Sequence, residues 1–159
     1  MGQKPEISPM RLAPLALPLP LALSLAVLSA APAAFAGEDP TDPTVLARVQ
    51  LMRAMKADLA ALGDLAAGKV AFDEAAAEAA VNAFLARADK VEAAYKDKAD
   101  DPASDGLPDI WTARAEFRQK ENRLVKAAMG LEWSSPAALA ETLAPVAAAC
   151  KDCHGRFRM

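Results

Sequence analysis

Cys150, Cys153 and His154 fall within one pentapeptide, Cys150-Lys151-Asp152-Cys153-His154, and His154 is the only histidine in 159 residues. Two thiols three apart, followed at once by an imidazole, suit covalent attachment of a c-type haem. Each thiol adds across a porphyrin vinyl group, and the imidazole ligates the iron. Other chemistries compete for the same residues. A thioredoxin-like redox pair needs a strand feeding the helix that carries it, whereas this motif sits at the end of a helical pattern. Structural zinc takes four Cys or His ligands, and the chain supplies two cysteines and one histidine. A local disulfide, or a soft metal such as copper held together with methionines, stays open as a haem-free alternative.

The elements that position the motif are helices. Alanine is abundant, aromatic residues make up 5% of the chain, and β-branched residues are thinly spread, so the pattern predicts an all-α protein. A first helix starts at Asp42 or Thr44, with Pro43 in its first turn, and ends before Gly63; its inner stripe is Val45, Val49, Met52, Met55 and Leu59. A second starts after Asp73 as N-cap, carries Val81, Phe84, Leu85, Val91 and Tyr95, and ends or kinks near Lys98. Residues 99–108 are too polar and too rich in Pro and Gly for a helix. A third runs from about Asp109 to Met129 with Ile110, Trp111, Phe117, Leu124 and Ala128 inward. Ser134-Ser135-Pro136 caps a fourth, on which Leu139, Leu143, Val146, Cys150, His154 and Phe157 recur at helical spacing. Four such helices with short connections predict an antiparallel bundle.

Residues 1–36 have the form of an export signal. Lys4 and Arg11 are basic, residues 12–29 are almost wholly apolar, and Ala34-Phe35-Ala36 is a small-x-small cleavage site. Met10 is an alternative start to Met1. Pro14, Pro18 and Pro20 interrupt the apolar run, which argues against a retained membrane anchor. Export predicts a periplasmic chain of residues 37–159, forming one domain. Loss of Lys4, Arg11 and Glu6 takes the net charge from −3 to −4. That excludes a general nucleic-acid binder and permits steering toward a basic partner.

On the fourth helix Cys150 and His154 share a face, with Cys153 on the adjoining side, so all three can meet one porphyrin edge. No second histidine exists to complete the iron. A thioether from Met52 or Met55 on the first helix is the candidate; packing of these flexible side chains in the core is the competing reading.

The carboxy-terminal motif with Arg158 four residues beyond His154, Arg48-x-x-x-Met52 on the first helix, and Pro108-Asp109-Ile110-Trp111 opening the third together resemble the class II cytochromes c, the cytochrome c′ family. The resemblance covers essentially the whole chain after the leader. It implies a left-handed four-helix bundle with one haem c attached through Cys150 and Cys153 near the chain end, and His154 as ligand. In this family the residue four beyond the first-helix arginine faces the iron and is usually apolar in five-coordinate members. Met52 at that place resembles the low-spin, methionine-ligated branch. The resemblance therefore implies a periplasmic electron carrier, not an enzyme, with His154 and Met52 as axial ligands. It also implies Arg48 near a haem propionate and Arg158 beside His154. The alternative within the family is a five-coordinate binder of nitric oxide or carbon monoxide. Implied partners are redox proteins of a respiratory or photosynthetic chain, and the protein is a monomer or homodimer with no membrane span after cleavage.

Overall fold

A computed structural model describes residues 39–159. The expected leader, residues 1–36, lies outside the described residues. Six helices follow in order: α1 (Pro43–Ala66), α2 (Glu74–Ala88), α3 (Val91–Ala94), α4 (Asp109–Thr112), α5 (Arg114–Met129) and α6 (Pro136–Phe157). No strand occurs among the described residues. The four long helices form the expected bundle, with α1 on α2, α2 on α5, α5 on α6, and α6 back on α1.

Local chemistry sets most helix starts. Asp42 accepts hydrogen bonds from the Thr44 and Val45 N–H groups, Asp73 from Ala76, and the Ser135 hydroxyl from Ala138. Pro43 and Pro136 occupy first-turn positions, where a missing N–H costs nothing.

Tertiary packing moves three boundaries. α1 does not stop at Gly63 but continues to Ala66, because Leu65 on the added turn buries 93% of its surface. A helical glycine costs about 1 kcal/mol, less than one buried leucine returns at roughly 1.5–3 kcal/mol. The chain turns instead at Gly68, whose φ of 68° is the left-handed conformation that glycine adopts without strain. The expected second helix kinks at Asp89-Lys90, where the Lys90 N–H bonds Arg87 three residues back, and it ends at Ala94. The expected third helix breaks at Ala113, φ −110° and ψ 45°. Trp111 on one side of that break and Arg114 on the other both donate to the Tyr95 carbonyl, so the break serves the contact with the end of α3.

Two ties hold the connecting loop over the end of the bundle. The buried Asp101 carboxylate accepts from the Thr41 hydroxyl and the N–H groups of Thr41, Asp42 and Ala103, locking residues 101–103 to the start of α1. Those bonds, the Asp42 N–H foremost, hold its carboxyl below the usual carboxylate range. Farther along, the Leu107 N–H donates to the Phe157 carbonyl and the Met159 N–H to the Asp105 carbonyl, each at 2.9 Å. The chain's tail is therefore paired with the loop, which fixes the final turn of α6. No helix among the described residues is long and apolar enough to cross a membrane.

Candidate haem site

A cavity of about 690 Å³ opens between α1, α5 and α6, within the range of sites that enclose a cofactor. Arg48, Met52, Met55, Cys150, Cys153, His154 and Arg158 all line it, so the bundle brings every sequence-expected site residue to one wall or another of a single cavity. Between them the walls are largely apolar, with Val45, Phe84, Phe117, Leu124 and Phe157 among the buried contributors.

The last turns of α6 present the motif. Cys150 and Cys153 are half-buried, unpaired thiols packed against the core. Burial pushes both up, Cys153 to about 11, so each is a neutral thiol. Lys120 on α5 donates to Asp152 at 2.8 Å, with Arg123 at 3.4 Å, so the residue between the cysteines is clamped to the neighbouring helix. His154 stands at the cavity rim. Although the residue is exposed at the rim, partial desolvation beside the cavity wall, and secondarily the Arg158 charge, lower its pKa, which favours the neutral imidazole that ligates metals. Arg158 itself lies along the loop, its Nε donating to Asp105 at 2.7 Å.

The α1 wall carries Arg48, Met52 and Met55. Met55 is a core residue, 5% exposed, whereas Met52 is half-buried and packs at the core's edge. Arg48 is 4% exposed and saturated by backbone. It donates to the carbonyls of Ala94 at 2.8 Å, Ala99 at 3.3 Å and Asp97 at 2.5 Å. Its guanidinium also lies 4.9 Å and 5.3 Å from the Tyr95 and Trp111 ring centroids. Arg48 thus ties α1 to the frayed end of α3 from inside the cavity wall.

Several wall residues escaped the sequence reading. Lys120 and Glu121 on α5 are two of them, and Tyr95, whose ring packs tilted against Phe117 with centroids 5.4 Å apart, is a third in this role. A signal for Glu121 did exist: Phe117, Glu121, Leu124 and Ala128 follow helical spacing, so a carboxylate occupies the buried stripe of α5.

Two neutral thiols, a neutral imidazole and an apolar enclosure are the donor set and surroundings that haem c requires. The fold and site together define a four-helix-bundle protein with a carboxy-terminal c-type haem site. Residues 44–158 match the family described as Cytochrome C', and the chain belongs to that family. Its members bind covalently attached haem c, and the haem-free alternative is thereby set aside. Solved structures of similar fold include a nitric oxide complex of a cytochrome c prime variant from Alcaligenes xylosoxidans (22% identity, 72% of this chain and 93% of that one, TM-score 0.63). Another is cytochrome c' from Rhodobacter Spheriodes (22% identity, 73% and 95%, TM-score 0.64). A ferrous variant of the Alcaligenes xylosoxidans protein is a third (21% identity, 73% and 94%, TM-score 0.64). At these identities the likeness is one of fold. Among curated proteins none matches.

Proposed function

We propose that this chain is a periplasmic cytochrome c′ that binds a small neutral gas such as nitric oxide or carbon monoxide, with His154 the sole protein ligand and Met52 part of the pocket wall. The observation that carries this reading is the cavity itself: one imidazole at its rim, and otherwise mainly apolar side chains suited to an uncharged diatomic. Family membership supports it, as does the capture of a fold relative with nitric oxide bound. This replaces the low-spin branch as the principal reading, because family membership and the fold relatives favour gas binding over methionine ligation.

Haem c, when bound, would supply a redox-active iron able to take up a small diatomic. The chain's own residues hold and shield it. Cys150 and Cys153 fix the ring's edge to α6, and the Asp152–Lys120 pair holds that segment against α5. His154 presents a neutral nitrogen. The apolar wall excludes water, which strengthens every polar contact inside.

A second reading has one observation in its favour: Met52 lines the cavity and is less committed to the core than Met55. The protein would then be an electron carrier for a respiratory or photosynthetic partner. The ferric spin state of the purified protein separates the two. High spin, unchanged in Met52→Leu, is expected. Low spin that converts to high spin in Met52→Leu would overturn the gas-binding reading in favour of His154/Met52 ligation.

A further inference from the structure

Glu121 is buried to 94% of its surface on the inner stripe of α5 and lines the haem cavity. Among the described residues no donor forms a hydrogen bond or ion pair with its carboxyl, whose oxygens open only onto the cavity, although three cations lie close by in sequence or space. Each is occupied elsewhere. Arg118 pairs with Glu92 at 3.0 Å, Arg114 lies 3.6 Å from the same Glu92, and Lys120 holds Asp152. An ionised carboxylate left alone in such a place is costly, and the usual relief is a proton.

We propose that Glu121 is the redox-linked proton site of this cytochrome: it holds a proton while the haem is reduced and releases it to solvent when the haem gives one electron to an acceptor. The charge balance is simple. Oxidation adds one positive charge inside the cavity, and loss of the Glu121 proton places a compensating negative charge on its wall. Re-reduction reverses both changes.

The groups facing Glu121 agree in direction. Burial raises its pKa first, and Glu92 and Asp89, at the α2–α3 kink, raise it further; Arg114 and Arg118 on α5 pull the other way. From α6 the Cys153 thiol feels the Glu121 charge; it is uncharged and is consumed when haem attaches. On the α1 wall, Arg48 is saturated by carbonyls and Arg53 pairs with Asp39, leaving exposed Lys56 at the cavity's margin. No paired cation thus neutralises Glu121, and a positive charge created in the cavity is the change its ionisation can answer.

The inference needs haem in this cavity but not a gas ligand or Met52 ligation, so its failure and that of the preceding reading are separately visible. The experiment is potentiometry of the holoprotein against pH, together with proton release on ferricyanide oxidation in weakly buffered solution. Expected is a potential that falls as pH rises, approaching about 59 mV per tenfold change in proton activity, over a window above the ordinary glutamate pKa. Glu121→Gln should flatten that slope and abolish the matching proton release, while Glu121→Asp should keep both with a displaced window. A slope and proton yield identical in wild type and Glu121→Gln would overturn the proposal. Should the Gln variant not accumulate, a wild-type slope of zero, or a window left unmoved by Glu121→Asp, would overturn it equally.

Discussion

The haem cavity has two buried charges on its walls, and they are handled in opposite ways. Arg48 on α1 is enclosed by three backbone carbonyls and two aromatic faces. Glu121 on α5 has no such partner among the described residues, and its nearest cations serve other carboxylates. Arginine is effectively always charged, so burial demands that its donors be satisfied, and here they close the open end of α3. A glutamic acid can shed its charge by taking a proton. The comparison separates a structural charge from a titratable one on the wall of the same cavity.

Removing the structural charge should have the larger effect. Arg48→Ala leaves the carbonyls of Ala94, Asp97 and Ala99 without their donor, and a loss of about 3–5 kcal/mol is expected in denaturant unfolding of the holoprotein. A loss below about 1 kcal/mol would mean that water or a haem propionate replaces the guanidinium readily.

Glu121→Gln should act with the opposite sign and only at higher pH. With its folded pKa raised, the wild-type residue favours folding fully below the unfolded glutamate value of about 4.3, and that contribution is lost as pH rises toward the folded value. The variant should therefore match wild type in acid and exceed it near neutrality, in unfolding curves recorded at both. A variant weaker than wild type at neutral pH would show that Glu121 is ionised and paired in solution.

Trp111→Phe probes the edge of the Arg48 corner. The indole N–H donates to the Tyr95 and Asp97 carbonyls at 3.2 Å and 3.1 Å, and its loss should cost about 1 kcal/mol. The effect should shrink in the Arg48→Ala background, because both side chains serve the Asp97 carbonyl.

Much of the fold was legible because it rests on local rules. Apolar periodicity marked all four long helices, and Asp42, Asp73 and Ser135 cap where their side chains predict. The carboxy-terminal motif was legible for the same reason, since five adjacent residues carry its chemistry without help from the rest of the chain. The exceptions share a cause. The extension of α1 past Gly63, the kink at Asp89-Lys90 and the break at Ala113 answer to packing or hydrogen-bond partners outside their own segment. Arg48 is instructive here: its donors meet the carbonyls of Ala94, Asp97 and Ala99, at and just beyond the end of α3, partners that no local spacing marks.

By itself the sequence determined the helical class, the order of the helices and the thiol–thiol–imidazole triplet, because each depends on residues within a turn or two of one another. Only the tertiary structure decided what faces the cavity and with which partners. Whether a buried charge is satisfied depends on groups dozens of residues away, brought near by the bundle, and no local spacing could report that Arg48 finds three carbonyls while Glu121 finds none of its cations free.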